Sequence, residues 1–185
     1  MTMLAYTQGT TKDQVLARVR RHREADRLIH GVYWENGRGC AVGCTVSGRR
    51  RAGEGWYDAV ARQIGIPAHL AALEDAIFEG LPNGDAQAWP ERFLRAIPEG
   101  ADLGRVWPQF AIWLLTEEAP SASGEAVAAL YRRRLAGDEP TDAEWSREAE
   151  AARAAGASGA ARAAGEASFT RQADKLVELC RAANG

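Results

Sequence analysis

The chain is poor in lysine, methionine, histidine and cysteine. Lys12 and Lys175 are its two lysines, and it holds two methionines, three histidines and three cysteines in 185 residues. Three cysteines without a secretion signal suggest a reducing, cytoplasmic compartment rather than a disulfide scaffold. The start, MTMLAYTQGTTKDQ, has no basic region followed by a long apolar run, so no signal peptide is read there. No stretch approaches the roughly 18 consecutive apolar residues of a membrane span. Several motifs are also missing: the Walker phosphate loop, a G-x-G-x-x-G after a strand, H-E-x-x-H and G-x-S-x-G. With a net charge of -2, nothing argues for broad nucleic-acid attraction or a polybasic membrane surface.

What is present reads as helix almost throughout. Apolar residues make up 46% and charged residues 26%, which suits a globular domain with a real core. Residues 1–9 read as loose or extended. Thr10 to Asp13 resembles a capping arrangement, and a helix is expected from there to about His30. Val15, Val19, His22 and Asp26 share one face of it, while Arg18, Arg20, Arg21, Arg23 and Arg27 make the rest basic. Trp56 to Gly65 and Pro67 to Gly80 read as two successive helices, with Leu70, Leu73 and Ile77 as the inner stripe of the second. Pro82-Asn83-Gly84 reads as a turn.

Trp89-Pro90 and Trp107-Pro108 read as helix openings, and Trp89, Phe93, Trp107, Phe110 and Trp113 as a central aromatic core. Ser121 or Ser123 caps a further helix, and Thr141-x-x-Glu144 is a capping box. From Glu148 to Ala167 the chain is nearly all Ala, Glu and Arg, interrupted by Gly156, Gly159 and Gly165. That composition predicts a thin arm or an interrupted helix pair. A last helix carries Phe169, Ala173, Leu176, Val177 and Cys180. The expected fold is therefore all-α: an irregular multi-helix core over residues 1–140, then an alanine-rich arm and C-terminal helix over 141–185. That last helix would pack back on the core or on a partner.

The densest chemistry lies in Tyr33 to Cys44, YWENGRGCAVGC. Asn36-Gly37 is a turn signal, because both residues tolerate positive φ. Cys40 and Cys44 are four apart, which puts both sulfurs on one face of a helix. At a helix start the Cys40 thiol would also feel unpaired N–H groups, which lower a thiol pKa. Three readings stay open: buried packing, a reactive thiol pair, and a metal site. The C-x3-C spacing matches neither the redox C-x-x-C nor a zinc knuckle. As ligands for a divalent metal such as zinc, His22, Asp26 and His30 stack at i, i+4 and i+8, and Cys40 or Cys44 could add sulfur. As catalytic candidates, Cys40 and Cys44 have His30 within reach as a base, with Glu35 as an acid or base.

NGRGCAVGC, GIP followed by LEDAIFEGLPNG, AWPERFLRAIP and FAIWLL together resemble an uncharacterised group of helical proteins from bacteria and their phages. The likeness runs from about Leu28 to Leu179, and in that group an Ala-rich tail ends in a segment similar to RQADKLVEL. It implies the domain boundaries and no activity. The functional expectation is a helical protein-interaction module, acting on a protein partner or a second copy of itself. The alternatives are the thiol or metal site above and, least favoured, nucleic-acid binding through Arg18–Arg27 and Arg49–Arg51.

Overall fold

A computed structural model describes residues 4–154 and 165–184. Among these residues there are nine α-helices and no strand, so the architecture is all-α. The helices are α1 (Lys12–Glu24), α2 (Ala41–Val46), α3 (Trp56–Ile64), α4 (Ala68–Gly80), α5 (Asn83–Ala96), α6 (Val106–Trp113), α7 (Ala122–Leu135), α8 (Asp142–Ala154) and α9 (Gly165–Ala182). A π-helical turn, Leu114–Glu118, extends α6. None of the described helices is long and apolar enough to cross a membrane.

The centre is α2. All six of its residues are buried, and it packs against α1, α3, α4 and α5. Two glycines permit this. A Cβ on Gly43 would stand 1.5 Å from the Tyr33 carbonyl oxygen, and one on Gly39 would stand 2.1 Å from it. The Tyr33–Trp34 backbone thus lies directly on α2 and its approach. Asn36 (φ 50°) and Gly37 (φ 79°) make the turn expected of that dipeptide, closed by Glu35 and Arg38 exchanging N–H···O bonds at 2.8 and 2.9 Å.

Three features differ from the sequence reading. First, α1 ends at Glu24, not near His30. Asp26 adopts a left-handed φ of 54°, and the chain turns so that Leu28, 2% exposed, enters the core beside Gly39. Its N-terminal box is Thr11 with Gln14, one residue later than expected.

Second, α5 begins at Asn83 and runs through Pro90. An internal proline costs about 3 kcal/mol of helix, yet Ala86, Trp89, Phe93 and Leu94 all bury on this face, and that burial outweighs the loss. Third, the N-terminal segment is fixed, not loose. Ala5 N–H donates to the Ala101 carbonyl at 3.0 Å and Tyr6 N–H to the Ile64 carbonyl at 2.7 Å. The Tyr6 hydroxyl reaches the Leu94 carbonyl at 2.7 Å.

The C-terminal helix packs back on the body, against α4, α5 and α6, and buries Ala173, Leu176, Val177 and Cys180. Phe169 sits on Gly80, where a Cβ would come within 2.4 Å of its ring. The Thr141–Glu144 box forms: Thr141 N–H donates to Glu144 Oε2 at 2.8 Å and Glu144 N–H to Thr141 Oγ1 at 3.3 Å. Trp145 meets Tyr131 of α7 at 4.8 Å between ring centroids. The Gly156–Gly159 break expected in the alanine-rich arm lies outside the described residues.

Candidate metal centre

Cys40 stands at the N-cap of α2 with an extended backbone. Across from it, Asp75 and Glu79 lie one turn apart on α4 and therefore share a face. The segment Gly31–Tyr33 closes the third side. Together they line a cavity of about 310 Å³. One ligand atom from each of Cys40, Asp75 and Glu79 lies within 4.8 Å of the other two.

Burial differs across the cluster. Cys40 is 1% exposed and Asp75 6%, while Glu79 stands at the open rim. Asp75 Oδ2 accepts a hydrogen bond from the Tyr57 hydroxyl at 3.1 Å, and Tyr57 meets the Tyr33 hydroxyl at 2.9 Å. Asp75 Oδ1 is buried with no hydrogen-bond partner. Glu79 receives the Gly31 N–H on both oxygens, at 2.9 and 3.0 Å. No arginine, lysine or histidine forms an ion pair with Asp75 or Glu79 among the described residues.

Burial, with no paired cation to offset it, sets the direction of the pKa shifts here. Burial raises the Asp75 carboxyl above the usual range; the Cys40 thiol and Tyr57 hydroxyl work against this, and Glu79 adds to it. Burial, followed by the neighbouring Asp75 carboxylate, pushes the Cys40 thiol well up. The helix start was expected to lower it. A six-residue helix offers little dipole, and here burial and the adjacent acid dominate. A thiol so held is a poor nucleophile without a cation beside it. Behind Asp75, Glu74 is 3% exposed, with Oε1 unpartnered, and burial and Asp75 raise its pKa well above normal.

Of the other candidates, Cys44 turns inward, its thiol donating to the Gly39 carbonyl at 3.4 Å, and burial pushes its pKa up to about 12. His22, Asp26 and His30 are not stacked, because α1 stops before Asp26. His22 is buried against Trp34, with ring centroids 5.4 Å apart, and its Nε2 lies 3.3 Å from Ser47 Oγ. His30 packs on Phe78 at 4.7 Å, and Asp26 and Glu35 face solvent. The third histidine, His69, lies apart from these and meets Trp107, at 6.1 Å between ring centroids. The structure thus joins Cys40 to two acids that the sequence reading did not single out. Neither acid stands out in the sequence LEDAIFEG; the adjacent Glu74, four residues after Leu70 on the buried face, is the one signal there that a charged side chain needs a reason.

Leu4 and Tyr33 are the exposed large hydrophobic residues of the described surface. Compared with known proteins, the chain matches no family model, no curated protein and no solved structure.

Proposed function

We propose that the protein binds a divalent transition metal of the zinc type through Cys40, Asp75 and Glu79. The observation that carries this is that one ligand atom from each of Cys40, Asp75 and Glu79 lies within 4.8 Å of the other two, at one cavity, with neither acid in an ion pair among the described residues. A thiolate with carboxylates suits zinc better than magnesium or calcium, which take oxygen ligands alone. Zinc–ligand bonds of 2.0–2.3 Å would place neighbouring ligand atoms roughly 3.3–3.8 Å apart. The cluster must therefore contract by about 1 Å, and Glu79, at the rim, is free to swing by exchanging its Gly31 contact.

Binding would replace the protons that Cys40 and Asp75 now favour, so affinity should rise with pH and zinc uptake should release protons. Three protein ligands leave a fourth position open to the cavity, where an exchangeable water or an anionic ligand can sit. Tyr57 is then a positioning residue, since it acts on the metal only through Asp75.

The test is titration of the metal-free protein with zinc against a competing chromophoric chelator, with cobalt as a spectroscopic probe. The expected result is one equivalent bound, with a sulfur-to-cobalt charge-transfer band. Asp75→Asn and Glu79→Gln should each weaken zinc by tenfold or more at unchanged melting temperature of the metal-free protein. Cys40→Ser should abolish the band, and His30→Ala should change nothing. Equal zinc affinity in the wild type and both carboxylate variants would sink the reading.

A further inference from the structure

On another face of the molecule lies an open cleft of about 470 Å³ between the turn Gln8–Thr10 and the loop that carries Arg49, Arg50 and Arg51. We propose that this cleft is a binding site for phosphate groups. The proposal is independent of the metal reading and uses none of its residues.

The local charge balance carries it. Four arginines line the cleft, Arg49, Arg50, Arg51 and Arg62, and Glu54 is the acid bonded to them. Both Glu54 oxygens are already taken, Oε1 by Arg62 Nε at 2.6 Å and Oε2 by Arg62 Nη2 at 2.9 Å and by the Arg51 N–H at 2.9 Å. Glu54 therefore neutralises Arg62 and shapes the loop. The guanidinium groups of Arg49, Arg50 and Arg51 have no ion pair among the described residues. Four positive charges against one negative leave a local excess of three on a chain whose net charge is -2.

The loop is held, not draped. Gln63 donates through Nε2 to the Arg49 carbonyl at 2.6 Å. Arg50 lies over the Trp56 ring at 5.0 Å and donates to the Glu54 carbonyl. Arg50, held in this way, loses less side-chain freedom when it binds, and the planar forks of all the loop arginines match phosphate oxygens.

Helix α1 extends the same field. Arg18, whose Nη1 bonds the Thr45 carbonyl at 2.6 Å, is lowered in pKa by burial, then by Arg49 and Arg21. The arginines of the first helix and the loop thus share one neighbourhood. Arg20 and Arg23 turn instead to Glu91 on α5.

Two sources of phosphate share this chemistry, a soluble polyphosphate and the backbone of a single-stranded nucleic acid. The test measures inorganic tripolyphosphate by calorimetry and a fluorescein-labelled oligonucleotide by anisotropy, both in EDTA so that metal plays no part. We expect saturable binding, weakened tenfold or more in Arg49→Gln/Arg51→Gln. The oligonucleotide salt slope should fall by about one for each arginine lost. Arg92→Gln/Arg132→Gln removes the same net charge elsewhere and should bind as the wild type does. Tripolyphosphate alone binding supports a soluble ligand; binding of both supports a backbone reader as well. No saturable binding at low salt, or equal weakening in the two double variants, overturns the proposal.

Discussion

Two places in this molecule bury carboxylates to nearly the same depth and treat them in opposite ways. Glu91 on α5 is 7% exposed. Arg20 Nη2 reaches it at 2.9 Å, Arg23 Nη1 at 2.8 Å, and Arg95 from the next turn. Burial works to raise its pKa, but Arg20, Arg95 and Arg23 outweigh it and the net shift is down. Asp75 and Glu74 on α4 are 6% and 3% exposed, have no such partner, and are both raised, by burial first. Depth alone therefore does not decide what a buried acid does. The first is a clamp between α1 and α5, complete as it stands. The second is shifted toward the neutral form and has no cationic side chain paired to it.

Supplying that cation is the strongest test of the contrast. Zinc at a hundred times its dissociation constant should stabilise the protein by about 2.7 kcal/mol by mass action. In a thermal melt this is about 5–10 °C for a chain of this size. The gain should fall by about half or more in Asp75→Asn, as tenfold or greater weakening requires, and survive in full in a Glu91 variant. A melt indifferent to zinc would place the two acid regions on one footing.

Next in size is the removal of the clamp. Glu91→Gln should cost about 2 kcal/mol at neutral pH, below the usual 3–5 for breaking a buried pair because the arginines stay solvated. The pH dependence has a definite sign. A carboxyl whose folded pKa is depressed stabilises above its unfolded value, near 4.5, and loses that contribution as pH falls through the folded value. The gap between wild type and variant, read from urea melts, should therefore be widest near pH 7 and close in acid.

Glu74→Gln should run the other way, with a smaller effect. Its folded pKa is raised, so the wild type keeps the full contribution below the unfolded value of about 4.5 and loses it as pH rises through the folded one. Wild type and variant should melt together near pH 4. By pH 8 the variant should be more stable by about 1 kcal/mol, the size of a typical stabilising substitution. A variant less stable at every pH would show that Glu74 is charged and compensated.

These two regions also show what could be read from the chain. Local chemistry was legible: the Asn36-Gly37 turn, the Thr141–Glu144 box and the α3 and α4 helices. Each depends on neighbours within a few residues. Of the expected aromatic core, Trp89, Phe93 and Phe110 are buried while Trp107 and Trp113 are half-buried. Competition between local preference and burial was not legible. Pro90 looks like a helix start until the faces of Trp89 and Phe93 are known to be covered, and α1 looks continuous until Leu28 must enter the core. The metal candidates divided in the same way. Cys40 was marked by its own segment, whereas Asp75 and Glu79 sit about 35 residues further along, on a helix whose acids look like an ordinary solvated face. Only the meeting of α2 with α4 joins them.

The smallest effect sharpens the comparison most. Arg20 and Arg95 are 45% and 60% exposed in their side chains, while Glu91's is 10%. Removing one arginine leaves two on the same carboxylate, so Arg20→Gln should cost far less than Glu91→Gln, as expected of a solvated ion pair. Glu91→Gln, by contrast, leaves three guanidinium groups facing one another. If the three arginines form a shared clamp, the single losses at Arg20, Arg23 and Arg95 will be small and the double losses more than additive. Additive losses would mean that each arginine pairs independently, and that the positive charge at Glu91 exceeds what one carboxylate needs. The shortage at Asp75 would then reflect where the fold places its arginines, since α1 and the Arg49–Arg51 loop hold them away from α4.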